Sequence, residues 1–521
     1  MSDFPSIAGR SMQATNVVKY NDQTYVQNIM LCNQKDDPIA LNAGAIQELV
    51  LEDNVYDWFV SGTLTFIDNF NVLERGTSGP VNSNPYKFRT DGRDLLLVDI
   101  MPNFDGDDQE NERIIIDSSR YDLWLLHFRF AIYDVEDISQ GNNSQKTYKL
   151  YFWEEAYQKM LDKNIEWSTG ASTFNKNRGK KPLHKMTNYE RSIRAGEAVV
   201  DLLKSAGFTK EVDETLIDKG DSENLILYTS PSTSTIADDL THILTSHVSE
   251  FEKDPCIFST IRSNEETGEP HKFALVSYSK LFQQAGKEAN APGALQREHF
   301  YINETGPQGS PIMLPKAPTS TQSSDRDFKI SGWNTILSFR FTDTAGIDNN
   351  VAYSSRPQYH HCSAERQFVF DYGAHATPSV RSFFQDHYIK QLYNKDKQGS
   401  LMTLNSAHTK GLNVTPVHNV NSNNSTTRLA HGRNAMLKAG LQMSACLSFG
   451  VMGLTTRQSS TFIGLDKLHG DTDTDFDNRL LGQWYVTNVT HTFGKGTYTN
   501  YITAVKPHNF KTLNRLPEDI T

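Results

Sequence analysis

The stretch Leu481-Gly482-Gln483-Trp484-Tyr485-Val486-Thr487-Asn488-Val489-Thr490-His491-Thr492-Phe493 leads into Gly494-Lys495-Gly496 and then Thr497 to Val505. Two strand-length runs rich in β-branched and aromatic residues bracket a short glycine-containing turn, which is the pattern of a β-hairpin. It is the strongest hairpin in the chain, and it sets the expectation of a β-rich protein.

Similar patterns recur upstream. Ile46 to Asp68 reads as a hairpin with its turn at Asp53-Asn54, after which Trp58, Val60, Leu64 and Phe66 are expected to keep period 2. Tyr121 to Asp137 pairs with Tyr148 to Trp153 across Gly141-Asn142-Asn143-Ser144, and apolar residues on both faces of Trp124 to Ile132 predict a strand between two layers. Cys256 to Ile261 and Lys272 to Tyr278 read as a hairpin opening a second domain. Ile336 to Thr342, Leu441 to Phe449 and Phe462 to Leu465 read as strands.

Helical signals concentrate in the middle. The capping box Thr187-x-x-Glu190 is expected to open a helix with Tyr189, Ile193, Gly196, Val200 and Leu203 on one face, closed by Gly207. Thr235 is expected to start a second, with Asp238 in its first turn and Ile236, Leu240, Ile243 and Leu244 inward. Further helices are expected from Thr377-Pro378 and over Arg428 to Lys438. Glu166 to Lys185, with its basic cluster Arg178-Gly179-Lys180-Lys181, reads as a linker or an exposed contact loop. Asn103 to Glu112 reads as a solvated loop, and Glu304 to Asp327 as an extended crossing segment.

Composition narrows the function classes. A chain of 521 residues predicts about three or four domains. Lys plus Arg number 51 against 62 for Asp plus Glu, and the formal charge of −11 disfavours a grip on nucleic acid while allowing DNA to pass without sticking. No apolar run approaches the roughly 18 residues of a membrane-spanning helix. Met1 to Arg10 lacks the basic and apolar regions of a secretory signal, which predicts cytosolic synthesis. Cys32, Cys256, Cys362 and Cys446 stand far apart and read as reduced thiols.

Catalytic anchors are missing. There is no Gly-x-Ser-x-Gly elbow, no P-loop and no Gly-x-Gly-x-x-Gly after a strand. His360-His361-Cys362 has zinc-type donors, but neighbours in an extended chain point to opposite faces. His242 and His247 are five apart, which does not bring two imidazoles onto one helical face. The pairs Asp238-Asp239 and Glu154-Glu155 read as solvated acids at element ends. No catalytic residue, cofactor or metal is therefore expected.

The order of elements, the closing stretch from Leu481 to Val505, the strand, Ser-Pro turn and helix of Leu225 to His247, and the paired strands around Phe258 and Phe273 to Tyr278 together resemble a known family. It is the central baseplate hub family of contractile-tailed phages, related to the hub part of type VI secretion spike proteins. The resemblance covers most of the chain in order and rests on structural motifs. It implies an α+β, β-dominated fold with two tube-like β-barrel domains, a helical unit and long insertions. The first barrel would occupy 15–160 and the helical domain 161–254. The second barrel would be split into 255–345 and 440–508 around an insertion with helices at 346–439.

The function so implied is that of a structural virion protein without enzymatic activity. A homotrimer would present six similar barrels and join a hexameric tail tube to a trimeric central spike. Its partners would be the tail tube protein, the central spike protein, the baseplate wedge proteins and the tape measure protein, with DNA only in passage and no membrane. Its place would be the baseplate of the virion tail, after synthesis in the host cytoplasm. Candidates for the subunit interface are Trp58, Leu64, Phe66, Trp484, Val486, Tyr498 and Tyr501. The alternatives are a tail adhesin or carbohydrate-binding virion protein, using exposed aromatics on loops, and a wall-degrading enzyme, which would need convergent acids or a metal.

Overall fold

A computed structural model describes residues 17–21, 23–32, 39–68, 88, 94–102, 126–139, 146–222, 225–245, 247, 249–250, 256–261, 271–277, 298–302, 335–336, 338–343, 368–369, 403–404, 418–419, 445–467 and 482–506. The expected loop at Asn103 to Glu112, the crossing segment at Glu304 to Asp327, the helices at Thr377 and Arg428 and the His360-His361-Cys362 cluster lie outside them.

The described chain is β-dominated. Its first part holds β1 (Val17–Tyr20), β2 (Gln23–Cys32), β3 (Ile39–Leu41), β4 (Ile46–Asn54), β5 (Ser61–Asp68), β6 (Leu95–Pro102), β7 (Leu126–Asp137), β8 (Lys146–Glu154) and helix α1 (Glu155–Asp162). The middle part comprises β9 (Ile193–Arg194), α2 (Ala195–Ser205), β10 (Val212–Ile217), β11 (Leu225–Leu227), α3 (Ile236–Thr245), β12 (Cys256–Ile261) and β13 (Lys272–Ser277). Then follow β14 (Glu298–Ile302), β15 (Thr335–Ile336), β16 (Ser338–Asp343), β17 (Phe368–Val369), β18 (Thr403–Leu404) and β19 (His418–Asn419). The last are β20 (Ala445–Met452), β21 (Phe462–Lys467), β22 (Gly482–Gly494) and β23 (Thr497–Lys506).

Among the described residues, fifteen strands form one sheet, ordered β1-β2-β6-β7-β8-β5-β4-β22-β21-β14-β15, with β3 beside β2 and with β23, β20 and β16 branching from β22. Alternation explains which side chains face inward. On β5, Leu64 and Phe66 are buried while Thr63, Thr65 and Ile67 are half-buried. On β7, Phe128, Phe130 and Ile132 are buried and His127 and Arg129 are half-buried. Ala131 is also buried, so apolar packing on both faces of this strand is concentrated at that small residue.

Among the described residues the sheet lines two large cores, with a smaller cluster of Val55, Ile257, Tyr485 and Val505 beside them. The first gathers Leu49, Leu64, Phe66, Val98, Phe130 and Phe152 with Tyr20, Tyr25, Phe493 and Tyr498. The sheet curls here. Asn21 donates its backbone N–H to the Gly496 carbonyl at 3.0 Å and its side-chain amide to the Tyr498 carbonyl, which joins the β1–β2 turn to the tip of the C-terminal hairpin. The second core gathers Phe300, Ile336, Leu447, Phe449, Leu465, Trp484, Val486 and Ile502. Fully burying each such large apolar side chain contributes about 1.5–3 kcal/mol.

A third core belongs to the helices. α2 and α3 pack together through Val199, Leu202, Leu203, Leu240 and Ile243, joined by Met160 of α1. The hairpin β12–β13 packs here as well, through Phe258, Phe273 and Leu275, and β10 lies parallel to β13.

Three local expectations are corrected. Thr187 and Glu190 do form reciprocal hydrogen bonds, but they close a turn, and the helix begins at Ala195 with Tyr189 exposed. Tertiary pairing explains this, because Ile193 and Arg194 are drawn into an antiparallel bridge with Ile226 and Leu225. Trp58 does not share a strand with Leu64: it sits in the turn after β4 at φ +66°. The segment from Glu166 to Lys185 is packed instead of free, since Thr169, Ser172 and Asn175 are buried. Its Trp167 donates its indole N–H to Asp201 of α2 at 2.8 Å. The basic cluster 178–181 is exposed at its outer rim.

Candidate functional site in the shared C-terminal hairpin

The hairpin read first in the sequence holds the two β cores together. One edge of β22 pairs with β21 over Gly482 to Tyr485 and then with β4 over Asn488 to Gly494, while its other edge pairs with β23. Lys495 and Gly496 both have positive φ, 35° and 81°, as the two-residue turn of a tight hairpin demands, and glycine meets that at little cost. The ends of the hairpin therefore serve different cores. Phe493 and Tyr498 stack at 3.9 Å within the first, and Trp484 and Ile502 lie in the second.

Between the cores the hairpin is polar. His491 accepts at Nδ1 from the Tyr498 hydroxyl at 2.7 Å and from the Asn500 amide at 2.9 Å. Its Nε2 lies 3.1 Å from the Arg457 carbonyl, which can only accept, so Nε2 carries the proton. Asn500 Oδ1 in turn accepts from Arg457 at 2.9 Å and from the Leu454 backbone at 2.6 Å. The Arg457 guanidinium also donates to the Met452 carbonyl and lies 5.1 Å over the Phe300 ring. Ser459 ties the same loop to β4 by donating twice to Asp53, at 2.9 and 2.6 Å. Burial pushes the Tyr485 and Tyr25 phenols well up, and Tyr20 to about 12. Arg457, His491, Tyr498 and Asn500 are buried and bonded to one another, so they fix the shape of the junction.

The seven interface candidates separate by strand parity. Leu64 and Phe66 lie in the first core with Tyr498, and Trp484 and Val486 in the second. Trp58 is half-buried, with its ring 5.5 Å from Phe258 of β12 and edge-on to it. Tyr501, three residues from Tyr498, faces outward at 49% exposure. The lateral row through it runs Tyr501, Thr490, Glu52, Ser61 and Trp153 across β23, β22, β4, β5 and β8. At roughly 4.8 Å per strand this outward row is about 19 Å wide. It ends in Trp153 stacked on Tyr133 at 4.0 Å.

No family model and no curated protein matches the chain. Its fold is similar to solved phage tail proteins. The 43 kDa tail protein of prophage MuSo2 from Shewanella oneidensis aligns over 92% of this chain and 98% of its own, at 9% identity and a TM-score of 0.42. The tail protein from Neisseria meningitidis MC58 aligns over 92% and 96%, at 7% identity and a TM-score of 0.40. The E. coli c3393 protein is a component of the type VI secretion system with structural similarity to T4 bacteriophage tail proteins gp27 and gp5. It aligns over 91% and 76%, at 7% identity and a TM-score of 0.33. Likeness at this level carries no argument about what the chain does, which has to come from its own sheet.

The remaining polar pairs do not converge. Asp238 caps α3 by bonding Thr235, whereas Asp239 is buried and accepts from Tyr228, Ser230 and Ser234, each at 2.6 Å. Glu154 accepts from the Val60 backbone at 2.9 Å, and Glu155 pairs with Arg129 at 3.1 Å and Lys159 at 3.0 Å. The Arg457, His491 and Asn500 network was not singled out from sequence. His491 stands in the Val489-x-His491-x-Phe493 pattern of the closing stretch, and His491 and Asn500 both fall on inward positions of their strands.

Proposed function

We propose that the chain is a non-enzymatic structural subunit of a phage tail, acting as a trimeric baseplate hub. The observation that carries this reading is the hairpin β22–β23, whose ladder is continuous with both β cores. Two curled β units locked into one body are what a threefold assembly needs to offer six similar faces to a hexameric tube and three to a trimeric spike. Each unit is read as a tube-like barrel. Tail tube protein, central spike protein and baseplate wedge proteins are the partners in this reading, and tape measure protein and DNA pass through the ring. The net charge of −11 suits such passage, because it does not hold phosphate.

The contact face falls to Tyr501 and its outward row, because Leu64, Phe66, Trp484, Val486 and Tyr498 are already buried in their own subunit. Light scattering and negative-stain imaging of one peak test the reading. A ring of three chains with a central hole is expected, and Tyr501→Glu is expected to reduce it to monomers that keep the wild-type circular dichroism spectrum. A monomer that stays monomeric with the tube and spike proteins of its particle overturns it. The stack of exposed Tyr133 on half-buried Trp153 favours the adhesin as the second reading. Saturable glycan binding lost in Trp153→Ala would move the assignment there.

A further inference from the structure

Away from the β cores, three chain segments of the helical unit bring together a carboxylate, an imidazole and a thiol. Asp218 directly follows β10, His247 lies just past α3 and Cys256 opens β12. One donor atom from each lies within 4.8 Å of the other two.

The carboxylate is oriented before any ligand arrives. Asp218 Oδ1 accepts from the Gly220 backbone at 2.8 Å, and Oδ2 accepts from the Ser249 hydroxyl at 2.6 Å. Its own backbone N–H is anchored on the Leu275 carbonyl of β13 at 2.7 Å. The imidazole is equally constrained. His247 Nε2 lies 3.1 Å from the Asp218 carbonyl, which only accepts, so this nitrogen carries the proton and Nδ1 is left as a bare lone pair. That Nδ1 is buried and has no hydrogen-bond partner, although the side chain is only 2% exposed.

A buried acceptor without a donor is costly, and native structures rarely leave one unless something unseen satisfies it. Cys256 is half-buried, which leaves a path from solvent.

The geometry points to Asp218, His247 and Cys256 as a binding site for one divalent cation of the zinc class, with solvent completing the coordination. Imidazole nitrogen, thiolate sulfur and carboxylate oxygen are the donor types zinc takes, and a tetrahedral ion would place them about 3.3–3.8 Å apart. The ring nitrogen nearer the carboxylate is Nε2, 3.5 Å from Asp218 Oδ1, so ligation through Nδ1 requires the imidazole to reorient. The hydrogen bonds from Gly220 and Ser249 supply the outer support that such ligands need. A bound ion staples the ends of β10 and α3 to the start of β12, three segments brought together only by folding, so it stabilises the helical unit.

The test uses the full chain, reduced, stripped with chelator and dialysed against zinc chloride. One zinc per chain by elemental mass spectrometry is expected, together with a raised Tm. Cobalt chloride is expected to give the near-ultraviolet band of a thiolate–cobalt bond. Cys256→Ser should abolish that band and weaken zinc binding by at least about tenfold, and Ser249→Ala should weaken binding about tenfold while keeping the band. Circular dichroism checks that each variant is folded, and His247→Gln serves if the serine variant is not. Cys362→Ser is expected to change nothing. Failure of the wild type to retain zinc overturns the site. Equal retention by folded Cys256→Ser, or loss confined to Cys362→Ser, also overturns it.

Discussion

The two ends of the C-terminal hairpin are built on the same backbone but do different work. Near the tip, Phe493 and Tyr498 stack on each other and meet Tyr20 and Tyr25 edge-on, at 5.6 Å from Phe493 to Tyr20 and 5.6 Å from Tyr498 to Tyr25. Toward the base, Trp484, Val486 and Ile502 fill the second core. Between them lie Arg457, His491 and Asn500, where polar partners replace apolar area. Apolar packing tolerates many arrangements, whereas a buried hydrogen-bonded set tolerates few. The contrast teaches that area stabilises each core while the polar belt sets how the two are joined.

The largest test removes one anchor from each end. Tyr498→Ala and Trp484→Ala are each expected to cost about 3–5 kcal/mol. If the hairpin couples the cores, calorimetry shows both variants lowering the same transition. Two transitions, each moved by one variant alone, would break the comparison. A smaller effect is expected from Asn500→Leu, which fills space but leaves the Leu454 N–H without its acceptor, at about 1–3 kcal/mol, while Arg457 keeps its bond to the Met452 carbonyl. Urea unfolding measures it. A loss below the scatter would mean that the belt does not hold the junction.

Much of the sheet was legible because alternation is a local signal. Leu64 and Phe66, Phe128 and Phe130, and Tyr498 and Ile502 all keep the phase their strands require. Parity also separated Tyr498 from Tyr501, although the sequence reading placed both at the same interface. Trp58 was less legible, because a positive-φ turn breaks the phase it shares in sequence with Val60. The cluster of Asp218, His247 and Cys256 had no sequence signal, since its members come together only when the hairpin β12–β13 packs on the helices.

The contrast between local bonding and tertiary placement is sharpest in two threonine boxes. Thr235 and Asp238 bond reciprocally and open α3, while Thr187 and Glu190 make the same bonds and close a turn. Thr235→Ala is expected to cost about 1 kcal/mol of helical-unit stability. Thr187→Ala should cost less, because no helix depends on it. Comparing the two by thermal melting tests whether the signature or the element it serves sets the energy.

The smallest expected effect is electrostatic and belongs to the turn. Lys181, 2.6 Å from Glu190, together with the Thr187 backbone N–H, holds that carboxyl down at about 2 from its ordinary 4.5. A carboxylate depressed on folding contributes stability that is present above its unfolded pKa and lost as pH falls toward the folded value. The turn should therefore loosen between about pH 4.5 and 2, with little consequence for α2, which has its own Glu197 accepting from the Arg194 N–H at 3.3 Å. Carboxyl carbon shifts across an acid titration would follow Glu190 directly, and Lys181→Ala should move its midpoint back toward the ordinary value. An unmoved midpoint would assign the depression to Thr187 alone. The box would then be a self-contained backbone device that owes nothing to the exposed basic cluster beside it.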